Sequence, residues 1–372
     1  AYIQLENNEQ AIQSFNTLVE RFPESSIARK GAGEIGLLYY QDDKYPEAIR
    51  AYKQVISNYP GSEEALQAQR DLKSIYIDLN NVDEYATFVA SQKGGVALGS
   101  DERDSLTYVA AERVYMRGDI AGSKNSFTHY LQSFPDGAFQ LNAHYYLGLI
   151  GYNQKNFTEA QQHLDKVIEF PNNKFSEEAM VMGGELAFNA KEYAKALSIY
   201  KLLKEKTASA ERRLLAQTGI LRSAYLLQDA NETIIIANEM LTIPKLTPEL
   251  TNEVRYYRAK AALSTHPEQA LPDLKELAKD TRNVYGAEAK YRLAQYLYDN
   301  GQNEEAEKVL LEYIDISTPH AYWLARSFVL LSDVYVKMDR KVEARQYLLS
   351  LKQNYQADDD IEQMIETRLN SY

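Results

Sequence analysis

PEAIRAYKQVISNYPGSEEALQAQ, residues 46–69, is the stretch that decides the fold. A small residue, Ala48, is followed four places on by Tyr52 and three further by Val55. Positions i, i+4 and i+7 share one face of a helix, so these three form a buried stripe. Pro60 stops that helix, because proline cannot continue it. Ser62-Glu63-Glu64 then opens another, placing a capping hydroxyl ahead of acidic residues that suit the positive helix end. The stretch reads as helix, short turn, helix.

Working outward, the same signature returns at Ala11, Ala48, Tyr85, Ser123, Ala160, Ala196, Thr233, Ala270, Ala306 and Ala344, at spacings of 36 to 38 residues. Four places beyond it lie Phe15, Tyr52, Val89, Phe127, Leu164, Tyr200, Ala237, Leu274, Leu310 and Leu348, all apolar. Seven places beyond, Gln92 is the only polar residue. A helix precedes each signature, and Gly36, Gly148, Gly184 and Ala294 recur 12 residues before it. Their lack of bulk predicts close approach of the two helices in each pair, against a helix-propensity cost of up to ~1 kcal/mol per Gly. Ser176-Glu177-Glu178 repeats the Ser62 cap. Thr247-Pro248 and Thr318-Pro319 put proline at the first helical position, where no donor is wasted. Pro23, Pro60, Pro135 and Pro171 end second helices.

The repeat resembles tetratricopeptide repeats along essentially the whole chain: a small residue opening the second helix, an aromatic or Leu four later, and a proline after it. The unit is longer than the family's usual 34 residues. The repeats at Tyr85, Ser123 and Thr233 are degenerate and rest mainly on phase. The resemblance implies an all-α fold, a right-handed α-α superhelix of about nine helical hairpins, with the first helix of each unit lining a concave face. The predicted organisation is N-terminal repeats over 1–93, a Gly-rich loop over 94–103, C-terminal repeats over 104–356 and a capping helix over 357–372, with Ile361, Met364, Ile365 and Leu369 on its apolar face. The steps FNTLVERFPESSIA and YKQVISNYPGSEEALQAQ are similar to bacterial cell-envelope repeat proteins of the outer-membrane lipoprotein type. They imply a periplasmic or envelope location, with the cytoplasm as the alternative.

Composition narrows the function classes. The 372 residues are 45% hydrophobic and 25% charged, with only 17 Gly and 10 Pro to punctuate turns. A net charge of −12 repels phosphate backbones and argues against nucleic acid as the main partner. The absence of Cys removes disulfides, thiolate metal sites and Cys nucleophiles. No apolar run approaches the ~20 residues needed to span a bilayer. The opening AYIQLENNEQA reads as the last turns of one helix, a turn and the next helix, so the chain is expected to be a trimmed piece of a longer protein, with membrane tethering through missing flanks left open.

Few residues suggest chemistry. The five histidines, His129, His144, His163, His266 and His320, show no His-x-x-x-His pair, and no metal or cofactor site is expected from them. Lys93 to Ser100 is Gly-rich, but no Lys-Ser/Thr follows the glycines and no strand precedes, so a phosphate loop is not supported. Carboxylate runs at turns and helix starts are explained by capping. The reading is a non-catalytic scaffold for a protein or peptide partner, with a glycan or cell-wall binder using exposed Tyr and Trp323 as the alternative.

The suggestive feature is aromatic. Eight residues before the signature stand Tyr40, Tyr115, Tyr152, Phe188, Tyr225 and Tyr298, six of nine positions. Fifteen before it come Tyr108, Tyr145 and Tyr291, and eleven before it Glu112, Glu185 and Arg222. Tyrosine offers large contact area at low entropic cost, so Tyr108, Glu112, Tyr115, Tyr145, Tyr152, Glu185, Phe188, Arg222, Tyr225, Tyr291 and Tyr298 are candidate peptide-binding residues. The competing reading is that these rings pack between the first helices of adjacent units.

Overall fold

A computed structural model describes residues 2–3, 7–93, 97–316 and 318–371. Every regular element among them is helical. The chain divides into two compact units, Ala1–Ala179 and Met180–Tyr372. The first holds α1 (Asn8–Arg21), α2 (Ser26–Gln41), α3 (Tyr45–Asn58), α4 (Glu63–Asp78), α5 (Val82–Ser91), α6 (Ser100–Met116), α7 (Ile120–Ser133), α8 (Gln140–Asn153) and α9 (Phe157–Ile168). The division falls within α10 (Ser176–Asn189). The second unit continues with α11 (Tyr193–Lys206), α12 (Ala210–Leu226), α13 (Ala230–Met240), α14 (Pro248–Leu263) and α15 (Pro267–Leu277). It ends with α16 (Val284–Asp299), α17 (Asn303–Ile314), α18 (Ala321–Lys337), α19 (Lys341–Asn354) and α20 (Ile361–Leu369). Consecutive helices pair as α2/α3, α4/α5 and so on to α18/α19, nine hairpins among the described residues, with α1 before and α20 after.

The signature stripe is the core. All ten signature positions are buried, including the degenerate Tyr85, Ser123 and Thr233. The Ser123 hydroxyl donates to the Asp119 carbonyl and Thr233 to Asp229, which satisfies each polar atom locally and lets it replace Ala. Gln92 is polar because α5 ends at Ser91, and its amide oxygen accepts from Ser57 Oγ at 3.2 Å instead. The recurring glycines lie under the large residue of the second helix. A Cβ on Gly148 would meet Leu164 Cδ2 at 2.8 Å, and one on Gly184 would meet Tyr200 Cε1 at 2.7 Å.

A feature with no sequence signature closes most hairpins. Five places before the signature, Asp43, Asn80, Gly118, Lys155, Lys191, Gln228, Gly301 and Asp339 all have positive φ. At Lys191, the amide donates to Phe188 O at 3.0 Å and the next amide, of Glu192, reaches back to Ala187 O at 2.9 Å. This left-handed closure satisfies carbonyls that the helix end leaves open.

Three local expectations are corrected. The Gly-rich loop is shorter than 94–103: residues 94–96 lie outside the described residues, Gly99 precedes α6, and residues 100–103 are its first turn, where Asp101 and Glu102 suit the positive end. On either side of it, Ile77 and Val82 pack with Leu106 and Ala110. Ser176 stands within the first turn of α10, where Ala179 N–H donates to Phe175 O, whereas Ser62 precedes α4 and its Oγ accepts from Ala65 N–H at 3.1 Å. Pro319 precedes α18 rather than opening it, because Thr318 is held by Thr281 O and receives the His320 amide. By contrast Thr247 caps α14 with Pro248 at its first turn. The helix end expected in the opening residues falls largely outside the described residues. The terminal helix α20 buries Ile361 and Ile365 against Ala325, Val329, Leu348 and Leu351.

Candidate functional site

In the first unit the candidate rings pack on one another. Tyr108 on α6 is 3% exposed, stacked on Phe139 at 4.5 Å, and edge-on to Tyr130. Its hydroxyl donates to Glu112 Oε1 at 2.7 Å and accepts from Asn142 Nδ2 at 3.1 Å. Glu112 also accepts from Tyr146, whose phenol burial and the Glu112 charge push up to about 12. Tyr115 lies 4.8 Å from Tyr146, and Tyr145 stacks on Phe175 at 4.3 Å. Tyr152 meets Phe157 edge-on, as Tyr40 meets Tyr45. Tyr108 is therefore core, and the α6–α8 aromatics form a ladder that joins successive hairpins.

In the second unit, Tyr291 is likewise core, 5% exposed, with its hydroxyl donating to Gln295 and accepting from Arg326 Nη2. Trp323, half-buried, packs between Tyr291, Tyr322 and the Arg292 guanidinium. Tyr225 lies 4.4 Å from Tyr257, which continues through Tyr256 to Tyr285. Tyr298 packs, half-buried, at the edge of the core around Leu310 and Val334. Both Tyr108 and Tyr291 correct the expectation that their position faces a groove: each ring fills the space between first helices, and each hydroxyl is already bonded.

Three candidates do converge. Glu185 and Phe188 from α10 and Arg222 from α12 line a cleft of about 590 Å³ with Val181, Leu214, Leu215 and Thr218, floored by Tyr200. Phe188 also meets Tyr193 edge-on at 5.4 Å. Arg222 is fixed by a two-pronged bond to Glu253 of α14, Nε to Oε1 at 2.6 Å and Nη2 to Oε2 at 2.9 Å. Glu253 is 9% exposed, and its carboxylate raises the Arg222 pKa. Sequence reading missed Glu253, Tyr256, Tyr257 and Glu288. Glu288 is buried yet bonded by Tyr256, Lys260 and Arg292.

The histidines carry one surprise. His144 on α8 and His163 on α9, 19 residues apart, bring their Nδ1 atoms to 2.9 Å. Ring centroids 5.1 Å apart mean that the nitrogens point nearly head-on, a hydrogen bond rather than two ligands converging on one ion. Burial holds His144 down to about 4 and lowers His163 as well. His129 approaches Asp83, and His320 Nε2 meets Arg282 O. Among the described residues no group of three or more His, Asp or Glu is placed to hold a metal ion. No helix among them is long and apolar enough to cross a membrane.

A tetratricopeptide-repeat family profile matches residues 1–63 and 258–321, which supports the tetratricopeptide resemblance for these two stretches. Among curated proteins nothing matches the chain. Solved structures with a similar course include the P58(IPK) TPR domain, 14% identical, covering 92% of this chain and 97% of that one at a TM-score of 0.29. A tetratricopeptide repeat protein from Parabacteroides merdae is 14% identical, covering 72% of this chain and 98% of that one at a TM-score of 0.35.

Proposed function

We propose that this protein is a non-catalytic scaffold that holds another polypeptide, with the cleft between α10 and α12 as a principal contact surface. The observation that supports this reading is the meeting of Glu185, Phe188 and Arg222 over apolar walls, in a cleft large enough for several side chains. Leu215, 40% exposed, and Phe188 supply anchors, while Arg222, held by Glu253, is oriented in advance. The envelope location suggested by the step sequences belongs to the same proposal, and fractionation of the source cell tests it.

The direct test is selection of peptides from a displayed library on the full chain, followed by affinity measurement with variants. Phe188→Ala and Leu215→Asp should each weaken the selected peptides about ten-fold or more while leaving the unfolding midpoint nearly unchanged. Undiminished binding to both variants would remove the cleft from the proposal.

A further inference from the structure

The first unit contains a second groove in the same register. Helices α2 and α4 open successive hairpins, and the gap between them, about 210 Å³, lies over Tyr52 as the α10–α12 cleft lies over Tyr200. Its walls have a different character. Glu34 comes from α2, Glu64 and Asp71 from α4, with Lys30 beside these three carboxylates and Arg70 in the adjoining hollow. Among the described residues, no ion pair ties Glu34, Glu64 or Asp71 to a cation, and Asp71 accepts the amide of its own helix neighbour Gln67, at 2.7 Å. A Cβ on Gly33 would meet nothing within 4 Å, so the groove is open on that side. Leu37, 38% exposed, lines it, and Leu66, 50% exposed, lines the adjoining hollow that shares Lys30, Glu64 and Gln67.

Tyr52 points to a ligand. It is 1% exposed, its ring is wedged against Gly36, and its buried hydroxyl makes no well-formed hydrogen bond: the Asp71 carboxylate holds it only weakly, and the charges of Asp71 and Glu34 act on it. A buried hydroxyl so loosely satisfied is unfavourable unless something completes it. Burial and the Asp71 charge push this phenol up, so it stays an uncharged hydroxyl. Carboxylates on two helices with a loosely held hydroxyl between them match a planar cation that presents several N–H donors at fixed angles.

We propose that the α2–α4 groove receives an arginine side chain of an extended peptide. The guanidinium lies between Glu34 and Asp71, Tyr52 Oη accepts one of its N–H groups, and Leu37 and Leu66 contact apolar side chains beside the arginine. This rests on the reading that the array holds polypeptide, but not on the α10–α12 cleft.

The test is fluorescence anisotropy of the full chain with a labelled, end-blocked heptapeptide bearing two arginines between leucines, and with its citrulline counterpart. The arginine form should bind about ten-fold tighter. Gly33→Leu, which fills the groove without changing charge, and the double variant Glu34→Gln/Asp71→Asn should each weaken it about five-fold or more. Tyr52→Phe, which removes only that hydroxyl, should weaken it by about two- to five-fold without lowering the unfolding midpoint. Glu304→Gln/Glu305→Gln, an equal change of charge at an exposed helix start, should alter it less than about two-fold. Equal weakening by that control, indifference to Gly33→Leu, or no preference for arginine over citrulline overturns the inference. Loss of the peptide in Phe188→Ala or Leu215→Asp would assign it to the α10–α12 cleft, overturning this inference while the scaffold reading stands.

Discussion

Gly36 of α2 lies against the ring of Tyr52 of α3 so closely that a Cβ at Gly36 would come within 2.6 Å of Cε1 and 2.7 Å of Cδ1. Tyr52 is 1% exposed and cannot swing into solvent without opening the core. Gly36→Ala should therefore cost about 1–3 kcal/mol from overpacking, despite the better helix propensity of Ala. Three residues earlier, Gly33 faces open space, and Gly33→Ala should stabilise by up to ~1 kcal/mol. Urea unfolding of the two variants should move in opposite directions.

The left-handed turn makes a prediction of opposite sign for glycine. Lys191 holds φ of 63° between α10 and α11. Glycine removes the steric cost of that conformation but gains freedom when unfolded, so Lys191→Gly should stabilise by about 0.5–1 kcal/mol. Lys191→Val, β-branched and intolerant of positive φ, should destabilise. Thermal melts of the pair decide the matter.

The imidazole pair makes stability depend on pH. Folding holds His144 at about 4 and lowers His163, so the unfolded chain binds more protons than the native one below about pH 6.5. The contribution is fully present above that pH and is lost as pH falls toward the folded value. Lys124 from α7 and Lys166 on α9 oppose protonation, while Glu159 and Glu169 favour it. Stability should fall by about 1–2 kcal/mol from this pair between pH 7 and 5, and His144→Gln should flatten the profile in denaturant titrations.

Arg222 should prove structural as well as exposed. Its partner Glu253 is nearly buried, so Arg222→Ala leaves a carboxylate without its cation. The expected cost is about 1–2 kcal/mol, reduced from a fully buried pair because the guanidinium is half in solvent. Arg222→Lys, which cannot bond both oxygens at once, should recover only part. A peptide whose affinity falls with Arg222→Ala must be re-examined with Arg222→Lys before contact is inferred.

How much was legible in the sequence follows from the range of each interaction. Ala48, Tyr52 and Val55 announce a buried helical face because residues four and seven apart are neighbours by helix geometry alone, and the phase carried even Ser123 and Thr233 to the core. Gly36, Gly148 and Gly184 likewise marked where two helices touch, because the contact lies within one hairpin at constant spacing. The candidate site was legible only in part. Whether Tyr108, Tyr145 or Tyr225 faced a groove or a neighbour depended on Phe139, Phe175 and Tyr257, which arrive from the following loop or hairpin and whose seating no periodicity within one helix fixes.

The sequence by itself determined the all-α class, the register of the hairpins and the face of each helix that is buried, since these rest on local geometry repeated ten times. Only the tertiary structure decided which rings became ladder and which lined a cleft, where His144 would meet His163, and why residues as unlike as Asp43, Lys155 and Gln228 share one left-handed turn. These outcomes are set by how one hairpin seats on the next. The same register produces a cleft of mixed apolar and charged lining over Tyr200 and an acidic groove over Tyr52, because the lining side chains come from two helices whose spacing no single stretch of sequence specifies.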